Sequence, residues 1–319
     1  MTKPVMLCIG SASQDVFLAG AVLTPECSHG VCYEHLKLGD KLSVDSLTFA
    51  TGGNAMNASV TFARQGLETH FISLIGDDPA GQAVLNDLDN ENINTKYVIS
   101  DPGFTTSYSV ILLAPNGERT ILNYHGEPLS SREENFHGEE ISGNWLYISS
   151  VGSMSLLIKI MKEAFSKKMK IAFNPASYEL KYIEECKYLF QYIELLALNK
   201  EEAQMFVAGK TAKDLVVELS NSAKYVLVSD GPQGSVATDG IQVVEAGMYK
   251  DVPVLDRTGA GDSFTSGFVS QIALGNSLES AITFASANST SVVTKIGAKS
   301  GILKYGTKID KMPLTISSI

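Results

Sequence analysis

Asp256-Arg257-Thr258-Gly259-Ala260-Gly261-Asp262-Ser263-Phe264 is the densest cluster of glycine, small residues and carboxylate in the chain. The apolar residues 252–255 before it read as a short strand. After it, Phe264, Phe268 and Ile272 recur at spacing four, which predicts a helix with one buried stripe. Gly259, Ala260 and Gly261 therefore fall in a loop feeding a helix N-terminus, where unpaired amides and the helix dipole attract anions. Glycine there lets a phosphate approach the backbone closely. Asp262, in the first turn, would repel such an anion unless it has another task, and taking the proton of an attacking hydroxyl is one. A helix N-cap after a glycine turn would give the same spelling. GxxxxGK[ST] and GxGxxG are both absent, which excludes a P-loop and a dinucleotide fingerprint.

Outward from this stretch, short apolar runs alternate with helical patterns. Strands are expected at 5–9, 71–75, 145–151, 171–173, 193–198 and 225–229. Helices are expected at 54–65, from Pro79 with Ala80, Val84 and Leu88 at spacing four, and at 154–168, 178–190, 200–208 and 211–221. Strands that are apolar without two-residue alternation imply a mostly parallel sheet covered on both faces, a three-layer α/β/α sandwich. Two segments break the alternation. Residues 14–50 are loop-rich with short apolar pieces. Residues 104–125 read as a hairpin, 105–113 and 119–124 around Pro115-Asn116-Gly117-Glu118. Both are expected to form a small inserted β layer, leaving 1–13, 51–103 and 126–319 as the main domain.

Composition narrows the function. The 319 residues carry 25 Lys+Arg against 35 Asp+Glu, a formal charge of −10, and 44% are apolar. That acidity argues against nucleic acid or an anionic membrane as partner, and no stretch is apolar for long enough to span a bilayer. Cys8, Cys27, Cys32 and Cys186 form no CxxC pair and read as free thiols of a cytoplasmic protein. Cys27, His29, Cys32 and His35 fit no common zinc spacing, so a loop thiol and solvated imidazoles are expected there.

The late Asp-X-Thr-Gly-Ala-Gly-Asp-Ser-Phe stretch, with Thr51-Gly52-Gly53-Asn54-Ala55-Met56-Asn57-Ala58, resembles the two signatures of the ribokinase family of sugar and nucleoside kinases. Between them Gly76-Asp77-Asp78, Asn174-Pro175, Asn199-Lys200-Glu201-Glu202 and Ser229-Asp230-Gly231-Pro232-Gln233-Gly234 follow in the family's order. The resemblance covers nearly the whole chain. It implies a ribokinase-like fold with a β-sheet lid, and an ATP- and magnesium-dependent kinase acting on a hydroxyl, a primary one, of a small sugar. Asp262 is then the base, and Gly259, Ala260 and Gly261 form the anion hole. Asp15, Gly53, Asn54 and Asn57 bind the substrate. Asn199, Ser229, Gly231, Gly234 and Asn288 bind the nucleotide, Glu202 reaches magnesium through water, and Asp256 with Thr258 holds a monovalent cation, potassium.

This chain also departs from ribokinases proper. Asn54 replaces a lysine, Ser13 replaces an asparagine, and residues 147–152 offer no acid to the sugar. These changes weaken the case for ribose and leave the reaction type untouched. A nucleoside kinase with lid aromatics such as Phe17, Phe104 and Tyr108, and a non-catalytic sugar- or nucleotide-binding module, are the alternatives. Arg119, Tyr124 and His125 are read as a solvated hairpin edge, Trp145 as core, and the exposed lid edge as a surface for a homodimer.

Overall fold

The computed structural model describes residues 3–136, 138 and 141–319. A nine-stranded sheet runs through it in the order 314–318, 242–246, 235–238, 225–229, 195–199, 170–173, 145–148, 5–9 and 68–72. The six strands from Tyr225–Ser229 to Glu68–Ile72 are parallel, and the three beyond Tyr225–Ser229 are antiparallel. Their continuous apolar spelling has a direct cause: both faces of the sheet are buried. Leu7, Ile9, Leu146, Ile148, Ile171 and Phe173 point into one core beneath the helices Met154–Ser166 and Ala212–Leu219. The alternate residues Met6, Cys8, Trp145, Tyr147 and Ala172 point into another, beneath Asn54–Arg64, Ala260–Ala273 and Leu278–Val293. Trp145 is core, as expected.

A second, four-stranded sheet pairs Arg119–Tyr124, Ser107–Leu113, Ser13–Ala19 and Ser46–Gly52 in that order. Its hairpin turns at residues 115–118, with Arg119 opposite Leu113, and Asp15 lies between Ser109 and Ala50. The segment read as loop-rich thus supplies two seven-residue strands.

Three expectations need correction. Residues 252–255 are not a strand. The amides of Leu255 and Asp256 instead donate to the Val293 carbonyl at the end of a helix, and Val254 and Leu255 are exposed. The helix expected at 178–190 is broken at Tyr182, which separates a 3-10 turn, Glu179–Lys181, from Ile183–Leu189. Glu179 causes the break, because its buried carboxylate accepts from Ser150 Oγ at 2.9 Å and from the amides of Val151 and Ala176 at 3.2 Å, pinning the turn beneath the 149–152 loop. The third concerns cysteine: Cys27 and Cys32 form a disulfide, while Cys8 and Cys186 are free and buried. His29 and Gly30, both at positive φ, make a two-residue turn between Glu26–Ser28 and Val31–Tyr33 that sets the two cysteines directly opposite each other.

Candidate active site

The parallel strands end in loops that form one wall of a cleft of about 700 Å³, and the small sheet forms the other. Clefts at the carboxyl ends of parallel strands are where such sheets bind ligands. Loops 10–13, 150–152 and 176–178 follow three of these strands. Ser107, Ser109, Asn123 and His125 face them from the small sheet.

On the floor, Gly259 caps the helix Ala260–Ala273 at φ 76°, and a Cβ there would lie 2.4 Å from Ala298 Cβ. Any other residue would displace the loop, so the glycine is a steric requirement. Gly261 has open space around it. The first amides of this helix lack intrahelical acceptors; Thr258, Gly259 and Asp262 line the cleft at this end, and Ala260 and Gly261 lie beside it without lining it. Ala260 makes one long bond, 3.3 Å, to the Arg257 carbonyl. Gly53 (φ 98°) begins the facing helix Asn54–Arg64, and a Cβ on it would strike the Ser11 carbonyl at 2.4 Å. The two helix starts therefore approach each other across the cleft floor.

They are joined by Asn57, whose Nδ2 donates to Asp262 Oδ2 at 2.8 Å. Asn57 Oδ1 is buried without a partner, an unused acceptor in the cleft wall. Burial raises Asp262 above the usual carboxylate range. The Asn57 hydrogen bond lowers it, and the negative charge of Asp15 raises it further. Asp15 is itself buried, accepts from Ser13 Oγ at 3.1 Å, and is also raised chiefly by burial. Asp15, Gly53, Asn54, Asn57, Thr258, Gly259 and Asp262 all line the same cleft.

The other named residues sit behind or beside it. Asn199 and Ser229 end neighbouring parallel strands as direct register partners. Asn199 and Glu202 form a reciprocal capping box, each accepting from the other's amide at 2.8 Å. Burial raises the Glu202 carboxyl, and Glu201 and Asp262 add repulsion, so this group shares a field with Asp262. Gly231 and Gly234 form the turn after Ser229, and a Cβ on Gly234 would strike the Ala246 carbonyl at 2.2 Å. Asn288 is fully buried, with Nδ2 on the Ser263 carbonyl and Oδ1 on the Leu303 amide, both at 2.8 Å. Both of its polar ends are thus taken up bracing the helix against residues 263 and 303.

The fit to metal ions differs between the two expected sites. Among the described residues no group of three His, Cys, Asp or Glu side chains could cage a metal. Magnesium keeps most of its waters and leans on phosphates, so one carboxylate suffices; Glu202 Oε1 stays outside the capping box and suits that part. Asp256 is fully buried. It accepts from Thr258 N at 2.9 Å, Thr258 Oγ1 at 2.7 Å and Gly297 N at 2.9 Å, and has no ammonium or guanidinium partner among the described residues. A buried carboxylate held only by neutral donors suits a monovalent cation close by.

Sequence reasoning missed how the second hairpin strand faces. Arg119, Ile121, Asn123 and His125 line the cleft, whereas Tyr124 points outward and is exposed. The two-residue period of a strand was the available signal. Arg119 Nε is buried without a partner, and neighbouring Glu118 lies 3.8 Å from Arg257 of the anion loop.

The profile described as "pfkB family carbohydrate kinase" matches residues 29–304. The chain belongs to the pfkB family of carbohydrate kinases. It is thus a phosphotransferase with an alcohol group as acceptor. A ribokinase of Staphylococcus aureus is 27% identical over 313 residues, covering 95% of this chain and 97% of that protein. Among solved structures, a nucleoside kinase of Methanocaldococcus jannaschii aligns at TM-score 0.76 with 19% identity, covering 95% and 96% of the two chains. The ribokinase of Arabidopsis thaliana, complexed with ribose and ATP, aligns at 0.73 with 21% identity over 95% and 96%. At those identities the structures speak for the fold, which is ribokinase-like: a mostly parallel sheet between helices, with a second, small sheet across the cleft.

Proposed function

We propose that this pfkB-family enzyme transfers the γ-phosphate of ATP to a primary hydroxyl of a small sugar, with Asp262 as base. The observation carrying the reading is the Asn57–Asp262 hydrogen bond, 2.8 Å, at the meeting of two helix N-termini. It aims one carboxylate oxygen and leaves the other to accept the acceptor's proton. Asp15 and the free Oδ1 of Asn57 take the sugar's other hydroxyls, beside Gly53 and Asn54. The amides of Gly259, Ala260 and Gly261 meet charge developing on the transferred group, the largest source of rate in such chemistry. No covalent intermediate is needed, since base and anion hole stand side by side for in-line attack.

On the nucleotide side, Asn199, Ser229, Gly231 and Gly234 gather at adjacent strand ends, and Glu202 receives magnesium through water. When bound, magnesium neutralises phosphate charge. Asp256 and Thr258 hold potassium next to the anion loop. Residues 14–50 and 104–125 act as a lid that closes over the sugar and excludes water. A nucleoside acceptor is the second reading, but Phe17 and Phe104 are buried within the protein, and half-buried Tyr108 does not line the cleft.

The test is ADP release from Mg-ATP with D-ribose, D-fructose, 2-keto-3-deoxygluconate and adenosine, in potassium and in sodium, for wild type and Asp262→Asn. Turnover of a sugar, faster in potassium and about a thousandfold lower in the variant, is expected. Preference for adenosine would overturn the acceptor class, equal rates in both salts the potassium site, and a variant within tenfold of wild type the base.

A further inference from the structure

Lys299 played no part in the sequence reading. Only 8% of it is exposed, and it lies beyond the helix Leu278–Val293 in the loop that also contributes Gly297 and Ala298 to the anion-hole wall. Its ammonium donates to both the carbonyl and the hydroxyl of Thr51 and sits 2.9 Å from Asp87 Oδ2. The Thr51 hydroxyl in turn donates to Asp87. Arg64 bonds the Lys299 carbonyl at 2.9 Å while pairing with Glu91. Thr51 is the penultimate residue of Ser46–Gly52, the strand that crosses from the lid to Gly53 on the cleft floor. Asp15 packs against that strand end: a Cβ on Gly52 would fall 2.1 Å from Asp15 Oδ2.

We propose that Lys299 is a positioning residue of the acceptor site: its buried ammonium pins Thr51 at the hinge end of the lid strand and offsets the negative charge of Asp15. The proposal rests on the reading of Asp15 as a group that binds sugar hydroxyls. The charges around Asp15 show why it needs a counter-ion. Burial raises its carboxyl, Ser109, Ser13 and Lys299 lower it, and Asp256 raises it, while Asp15 in turn raises Asp262. Around Lys299, burial disfavours the charge, and Asp87, Asp15 and Glu91 favour it. Lys299 thus stands between buried Asp15 and the half-buried Asp87 and Glu91, the latter two shared with Arg64.

Removing the ammonium alone would leave half-buried Asp87 without its ion pair and loosen the Thr51 cluster whatever Lys299 does for substrate. The informative variant is therefore Lys299→Met with Asp87→Asn, which removes both charges together. It is expected to melt within a few degrees of wild type. The KM for the preferred acceptor among D-ribose, D-fructose, 2-keto-3-deoxygluconate and adenosine should rise by about tenfold or more, with the KM for ATP within about twofold. Its acid limb of kcat/KM for that acceptor should also move to higher pH, because Asp15 has lost its cation. With no acceptor present, hydrogen exchange across residues 46–52 should quicken in the double variant and stay unchanged across 225–229.

An acceptor KM that recovers together with the melting temperature would overturn the proposal, and so would unaltered exchange at 46–52. Asp15→Asn, measured alongside, separates the two readings. If Asp15→Asn leaves the acceptor KM unchanged, the hydroxyl-binding role of Asp15 fails, and exchange at 46–52 alone decides for or against Lys299.

Discussion

Asp262 lies under influences of opposite sign, and each can be removed singly. Burial and the charge of Asp15 raise its carboxyl, while the Asn57 amide lowers it. A base works only when deprotonated, so kcat should climb with pH through a limb above the ordinary aspartate range. Asn57→Leu removes the lowering hydrogen bond and should move that limb to higher pH; Asp15→Asn removes the repulsion and should move it lower. Rates at saturating acceptor and ATP, from about pH 4 to pH 8, check this, and a shift in the same direction for both variants would refute the electrostatic account. The raised group also has a cost in stability. A carboxyl whose folded-state pKa exceeds its unfolded value loses stability as pH rises between the two, so at neutral pH Asp262→Asn should melt about 1–3 °C higher. That gain should vanish in acid, where both states are protonated. That Asp262, Gly259 and Asp15 share one cleft was legible in the sequence because motif and neighbourhood agreed. Lys299 and Glu179 were not legible there: each bonds across more than 20 residues of chain, to Thr51 and to Ser150, and a lone charged residue carries no periodic signal; Arg119 was misread although the strand's two-residue period was there to place it.

The helix Ala260–Ala273 explains why two glycines one residue apart have different work. Gly259 sits at φ 76° against Ala298, whereas Gly261 is helical with open space where a side chain would go. Gly259→Ala meets both left-handed strain and a clash, and should lower the melting temperature by about 5 °C or more. Gly261→Ala should raise it slightly, since alanine favours a helix by about 0.5–1 kcal/mol over glycine. Yet its methyl group covers the amides offered to the phosphoryl group, so turnover should fall at least about tenfold. Paired melting and ADP-release measurements would show stability and activity moving oppositely in the second variant; a Gly261→Ala enzyme as fast as wild type would remove the anion-hole assignment. Elements with their own local signals, such as the Asn199 capping box and the hairpin at residues 115–118, were readable from the sequence. The failures at 252–255 and Tyr182 came from long-range bonds to Val293 and Ser150, and the Cys27–Cys32 pairing from a two-residue turn whose positive φ at His29 is unusual for that residue type.

At the scale of the whole molecule, burial of both faces of the large sheet wrote itself into the sequence as unbroken apolar runs, and the three-layer architecture followed. The small sheet buries one face against the cleft and leaves the other apolar and open. Alternation puts Asp15, Ser109 and Asn123 inward and Leu47, Phe49, Leu122 and Tyr124 outward, the last four each more than half exposed. Ser46–Gly52 and Arg119–Tyr124 are also its two edge strands, so the surface offers both apolar contact and unpaired backbone. Such a patch is what twofold pairing with a second copy of the chain would cover, and that pairing is the expectation to test. Sedimentation equilibrium should then give about twice 34.2 kDa for wild type. Phe49→Glu, an outward substitution that touches neither core nor cleft, should return it to the monomer mass with little change in melting temperature of the main domain. Because that face backs the strands bearing Asp15 and Ser109, the monomer should also bind its sugar more weakly, its lid no longer braced. A wild type that sediments as a monomer at all concentrations would show that the patch serves something other than self-association.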